Sequence, residues 1–157
     1  LKYFFAPWRL TFIKSKKVKE CVFCDALSQR EDKKYKIIKR GSYCFSMLNK
    51  YPYTSGHMMV IPNRHIGDYL SLDQRELTEL SLMTQEMTLV VKKAFNPNGF
   101  NIGMNIGEFA GAGIKEHIHI HIVPRWSGDN NFMPVIAGVK VHPMDLETSY
   151  KLIMDNL

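Results

Sequence analysis

Cysteine is scarce: three residues in a chain of 157 cannot build the disulfide framework that small secreted domains rely on. Two of the three stand together as Cys21-Val-Phe-Cys24, a spacing that suits a metal knuckle or a redox pair in a reducing compartment. Cys44 reads as a small buried hydrophobe. No stretch approaches the ~20 apolar residues of a membrane span. Leu1 to Leu10 is apolar, but Pro7, Trp8 and Arg9 interrupt it and no small-residue cleavage site follows, so it does not read as a signal peptide and the chain is expected to be cytoplasmic. Nothing marks a second domain, and the length suits one core. The expectation is a single domain over 1–157, with an arm at 1–20, a core at 21–126 and a C-terminal extension at 127–157. Acid is in short supply: 21 Lys and Arg face 15 Asp and Glu, a balance that suits an anionic ligand. The densest basic run, Lys14, Lys16, Lys17 and Lys19, has no interleaved aromatics, so it reads as a solvated linker and not as a nucleic-acid site.

What the chain has is histidine in one place. Of six histidines, three fall in His117-Ile-His119-Ile-His121-Ile-Val123. In a strand, alternate side chains share a face, so three imidazoles line one side while Ile118, Ile120 and Ile122 press the other into a core. A buried imidazole needs a partner for each ring nitrogen, so the histidine face should border something polar. Two chemistries fit: ligation of a catalytic zinc, or attack on phosphorus by one histidine that its neighbours orient. The segment upstream, Asn101 to Ile114, is rich in glycine and offers backbone N–H groups able to cradle phosphate oxygens, which favours the phosphate site.

The pattern His-φ-His-φ-His-φ-φ, with φ apolar, resembles the signature of the histidine triad superfamily of nucleotide hydrolases and transferases. The Ala6-Pro7-Trp8-Arg9 entry, Cys21-x-x-Cys24, the Asn101–Gly113 loop, Pro124-Arg125-Trp126 and Gly128-Asp-Asn-Asn-Phe132 are similar to the branch that contains diadenosine tetraphosphate phosphorylases. The resemblance implies a symmetric homodimer with the two sheets joined. It also implies cleavage of dinucleoside polyphosphates, adenine ones first, through a covalent nucleotidyl-histidine at His119, resolved by phosphate or water. His121 would contact the phosphate and share in proton traffic. Asn49 matches the ribose-contacting position, Asn105 the amide that holds the α-phosphate with Asn101 as its substitute, and the amides of Gly111, Ala112 and Gly113 would stabilise developing charge. Gly113 and Ile114 stand where many relatives carry Gln and then Ser or Thr, so backbone donors must replace a hydroxyl there. Trp126 follows the branch pattern, and Arg125 or Lys115 would hold an acceptor phosphate. Three alternatives stay open: a nucleoside phosphoramidase, a binding module for mononucleotides with little turnover, and a zinc hydrolase using all three triad histidines.

Cys21 and Cys24 supply two ligands, and a structural zinc needs four. By resemblance to zinc-bearing bacterial relatives, His65 is the third and His117 the fourth. No βαβ pattern surrounds the cysteines, which argues against a thioredoxin-like pair.

The coarse elements follow from periodicity. A short helix runs from Cys21 to Ser28, and Arg30 to Lys36 is charged and expected to be exposed. Tyr35–Lys39 and Tyr43–Leu48 bracket a turn and form a hairpin, and His57–Ile61 is a strand stopped by Pro62. Ser71 to Phe95 is the one long helix, with candidate capping boxes at Ser71/Gln74 and Asp73/Glu76 and an apolar stripe from Leu77 to Ala94. Strands follow at Phe100–Ile106 and Glu116–Val123, then a loop from Trp126 to Met133 and a closing helix from Met144 to Asn156. The expected class is α+β, an antiparallel sheet with one long helix packed on it.

Overall fold

The computed structural model of the protein describes residues 21–129 and 144–157. The arm at 1–20, with its Ala6–Arg9 entry and lysine run, and the segment 130–143 lie outside the described residues. Five strands form an antiparallel sheet, β1 (Ile37–Arg40), β2 (Cys44–Leu48), β3 (Met58–Pro62), β4 (Gly99–Gly103) and β5 (Ile120–Arg125), in the spatial order β1-β2-β3-β5-β4. The α+β expectation holds. Helices α1 (Val22–Ser28) and α2 (Asp32–Tyr35) precede β1, α3 (Gln74–Phe95) joins β3 to β4, and α4 (Leu146–Met154) closes the chain. No described helix is long and apolar enough to cross a membrane.

The two central strands are buried along their whole length, because each face of the sheet carries its own core. On one face Cys44, Leu48, Met58, Val60, Ile118 and Ile122 meet Leu80, Met83, Met87, Val90 and Val91 of α3, with Leu77 and Ala94 at the margin. That is the helical stripe read from the sequence. On the other face Phe45, Met47, Met59 and Ile61 meet Phe23 and Ala26 of α1. The register pairs Met59 with His121 and Val60 with Ile120, so the histidines share the face that α1 covers, and the isoleucines press toward α3.

Two of the differences from the sequence reading have a tertiary cause. Regular pairing in the histidine strand begins at Ile120 and not at Glu116, because β3 ends at Pro62 and the chain turns away. Ile118 then donates to the carbonyl of Ile66 in the departing loop, at 2.7 Å. Arg30 to Lys36 is not uniformly exposed: α2 forms there, Lys36 adopts a left-handed conformation and is buried. Its ammonium donates to the Lys33 carbonyl and Glu147 at 2.7 Å each and lies over the Tyr150 ring, which fastens α4 against the sheet.

Of the two candidate capping boxes, the Asp73/Glu76 pair forms, while Ser71 falls in a 3₁₀ turn ahead of the helix. Glu76 does more than cap. Its buried carboxylate accepts from Arg64 at 2.8 and 2.7 Å and from the Asp73 N–H at 2.9 Å, so the helix start grips the loop that carries His65. The Arg64 guanidinium holds the Glu76 carboxyl below its ordinary value. Removing a charged acceptor from such a set typically costs 1.5–3 kcal/mol per bond. Glu76→Gln is expected to lower unfolding free energy by about 2 kcal/mol, measured by urea denaturation at neutral pH.

Candidate active site and metal centre

Cys21 is the N-cap residue of α1 and Cys24 lies one turn on, so both sulfurs share one face of the helix. The helix is pinned at its other end. Arg40 of β1 donates to the C-terminal carbonyls of Leu27 at 2.7 Å and Gln29 at 2.8 Å while pairing with Asp32 at 2.7 Å, meeting acceptors that a helix end leaves open. His117 is fully buried and its Nε2–H donates to the Pro62 carbonyl at 2.9 Å. That bond assigns the tautomer and leaves the Nδ1 lone pair facing Cys21 Sγ at 3.3 Å and Cys24 Sγ at 3.6 Å. His65 Nδ1 is 3.3 Å from Cys24 Sγ. The four ligand atoms lie within 4.8 Å of one another. A tetrahedral zinc with Zn–S of ~2.3 Å and Zn–N of ~2.0–2.1 Å sets S···N edges near ~3.5 Å. The donor set therefore fits a closed Cys₂His₂ ion, and burial together with Cys21 pushes the Cys24 thiol up, a crowding that a dication relieves.

The next two histidines are held in complementary states. His119 donates Nδ1–H to the main-chain carbonyl of His117 at 2.9 Å, which leaves a lone pair on Nε2. Burial lowers its pKa, so the ring is neutral at pH 7. His121 is assigned by a relay that starts in the backbone. The Tyr53 N–H donates to Nδ1 of His57 at 3.0 Å, so the His57 proton sits on Nε2 and is donated to Nδ1 of His121 at 2.9 Å. His121 is thereby left with its own proton on Nε2, and burial, with His119 second, lowers its pKa to about 4. The His119 and His121 rings stand 4.7 Å apart. A lone pair beside an N–H donor is what attack on phosphorus with a bond to a phosphoryl oxygen requires.

His57, fully buried, is the residue that sequence reasoning left without a role. Its signal was present in Gly56-His57: Gly56 has φ of +76°, and a Cβ there would meet the Phe95 ring at 2.9 Å, so only glycine lets the chain turn inward at that point.

The histidine face is more apolar than the alternation suggested, since Phe23 packs edge-on against both His117 and His119. Asn49 is drawn into the relay, with Oδ1 accepting from the Tyr51 N–H at 2.9 Å and Nδ2 lying 3.4 Å from His57. Asn101 stands on the histidine face of edge strand β4, opposite Val123, and accepts from Arg125 at 2.7 Å. Asn105 reaches the Gly111 carbonyl at 3.4 Å. In the glycine loop the N–H groups of Gly111 and Ala112 donate to Glu108 and Gly107 of the loop itself. Of the three expected amides, Gly113 is the one without a backbone hydrogen bond among the described residues, and Ile114 packs against the apolar cluster that contains Phe23. Trp126 follows β5 half-buried, its N–H 3.3 Å from Asp129. Neither expected acceptor cation is unpaired: Arg125 is matched by Asp129 at 2.5 Å and Lys115 by Glu108 at 3.3 Å.

Residues 30–128 match the family model described as the HIT domain. The chain is similar to the AP-4-A phosphorylase of Mycobacterium tuberculosis, 35% identical over 161 aligned residues that cover 98% of this chain and 83% of that protein. Over a shorter stretch it is similar to the Bis(5'-adenosyl)-triphosphatase of Dictyostelium discoideum, 37% identical across 52% of this chain and 54% of that one. Among solved structures, a Zn-bound histidine triad family protein from Mycobacterium smegmatis superposes with a TM-score of 0.70 at 28% identity, covering 87% of this chain and 91% of that chain.

Two measurements follow from this geometry. Metal analysis of the purified protein should find about one zinc per chain, and Cys24→Ser should lose the metal and lower the melting temperature; a metal-free wild type of equal stability would remove the four-residue assignment. For His121 the unfolded chain takes up a proton near pH 6.5 and the folded chain only near 4. Its contribution to stability is whole above pH 6.5 and is lost as pH falls toward 4. Urea unfolding at pH 7 and pH 5 should therefore show a smaller acid loss in His121→Asn than in wild type.

Proposed function

The chain belongs to the HIT domain family, and from that premise we propose that it cleaves dinucleoside polyphosphates, diadenosine tetraphosphate foremost, through a nucleotidyl-His119 intermediate. The observation that carries the proposal is the pairing of tautomers: His119 offers a lone pair at Nε2 while His121 beside it offers an N–H. In the reaction Nε2 of His119 attacks the α-phosphorus, the bond from that phosphorus to the bridging oxygen breaks, and ATP departs. His121 donates its Nε2–H to an oxygen of the phosphate as charge builds on it, and the Gly113 amide adds a backbone donor. Water then releases AMP from His119, or inorganic phosphate attacks and releases ADP. The similarity to a protein named a phosphorylase across nearly the whole chain supports phosphate as the acceptor.

A Cys21–Cys24–His65–His117 metal ion would clamp α1, the His65 loop and the histidine strand together, with no coordination position left for substrate. The alternative of a zinc hydrolase using three triad histidines loses support here. Among the described residues the one group able to hold a metal takes His117 but neither His119 nor His121. The same reading takes the protein as a homodimer joined along β4, the sheet edge beside which Ile102 and Ile106 stand half exposed.

The test is one nucleotide separation. Wild type incubated with diadenosine tetraphosphate should yield ATP with AMP, shifting to ATP with ADP as inorganic phosphate is added, and His119→Ala should lose activity by a thousandfold or more, on the order of what removing a catalytic nucleophile costs. Equal turnover in the variant would take His119 out of the mechanism. AMP as the sole partner of ATP at saturating phosphate would make the protein a hydrolase.

A further inference from the structure

Phe23 stands between the two cysteines of the metal corner in sequence, and its ring packs against imidazoles. It is 2% exposed and meets two imidazoles edge-on, His117 with centroids 5.4 Å apart and planes at 89°, and His119 at 5.0 Å and 64°. The ring also belongs to the buried cluster of Ile37, Phe45, Met59 and Ile61. The residue is thus fixed from both ends: its backbone by the cysteines on either side, its ring by close packing.

His119 depends on that packing. A single hydrogen bond from Nδ1 to the His117 carbonyl sets its tautomer, and one bond does not prevent an imidazole from turning about its side-chain torsions. Among the described residues two rings pack against the His119 ring, Phe23 at 5.0 Å and His121 at 4.7 Å between centroids. Moreover, both restraints on His119 begin in the metal corner, since the carbonyl belongs to the ligand His117 and the ring is carried between the ligands Cys21 and Cys24. We propose that Phe23 is a positioning residue that ties the aim of the His119 nucleophile to closure of the Cys21–Cys24–His65–His117 corner. The inference rests on the reading of His119 as the nucleophile. It makes the corner more than a staple: metal occupancy and nucleophile orientation become linked, and the linkage runs both ways.

The test uses the full chain and a readout that needs no turnover. Imidazole nitrogen NMR of the zinc-loaded wild type should show His119 as one tautomer with its proton on Nδ1. In Phe23→Leu the metal content should stay at one equivalent while the His119 signals move to a tautomer mixture, and treatment of wild type with a chelator should produce the same change. In single-turnover measurements Phe23→Leu should slow nucleotidyl-His119 formation by about tenfold to a hundredfold with nucleotide Kd changed by less than about threefold. Phe23→Met, closer in shape to the lost ring, should recover part of the rate, and it serves as the second variant where leucine impairs folding. An unchanged His119 tautomer in both variants overturns the proposal. So does a rise in Kd at constant rate, which would make Phe23 a nucleotide contact. A protein that forms no nucleotidyl-histidine at all would instead fail the proposed reaction while leaving the NMR comparison readable.

Discussion

The hydrogen bond from His117 to the carbonyl of Pro62 governs this site. By taking the Nε2 proton it turns Nδ1 toward the two cysteines, and by anchoring the residue it fixes the main-chain carbonyl that assigns His119. Proline at that position supplies a carbonyl without an N–H of its own, and the strand ends there. One residue thus separates two chemistries that the sequence pattern presents as three equivalent imidazoles. In the proposed reading His117 serves the metal corner, and His119 and His121 are left for phosphorus.

His57 and His121 take their states by the same logic. Each ring in the chain Tyr53 N–H to His57 to His121 has one nitrogen receiving a proton bond, so the other must donate. The chain begins in the main chain and needs no carboxylate. Desolvation keeps His121 neutral, as its lowered pKa reflects. A neutral donor beside a neutral nucleophile avoids the repulsion that two imidazolium ions a few ångströms apart would face.

Much of this was legible in the residues. Alternation placed the three histidines on one face, and the structure puts Ile118 and Ile122 against α3 on the other. The long helix was readable from its stripe and its Asp73/Glu76 box because those depend on neighbours a turn apart. The cysteine pair was legible from its spacing, whereas His65 and His117 were named as ligands through family likeness, and no local pattern could have united residues 41 and 93 positions apart. What local pattern misses is tertiary capture. His57 gained its role only when β3 paired with β5, Lys36 was buried only when α4 docked, and Arg125 was neutralised only when the chain turned back to Asp129. A charged residue in a sequence carries no mark of the partner that will cancel it.

That cancellation bears on how an acceptor is chosen in the proposed reaction. Read alone, Arg125 two positions beyond Val123 suggests a cation waiting for a phosphate dianion. In the folded chain its guanidinium bonds Asp129 on one side and Asn101 on the other, and an ion pair already matched gains little by adding a second anion. The same bond turns the Asn101 oxygen toward Arg125 and therefore its amide nitrogen away, as a donor on the histidine face. In the proposed reaction, selection between phosphate and water would then fall to neutral donors, for which the Asn101 amide and the Gly113 N–H are the candidates, and not to net charge. Neutral donors discriminate by geometry: a tetrahedral oxyanion can meet two of them at once while attacking a third centre, and a water molecule cannot. In the proposed reaction such donors would let an acceptor with several oxygens compete with water at far higher concentration without an excess of positive charge that would also hold the departing polyphosphate in place.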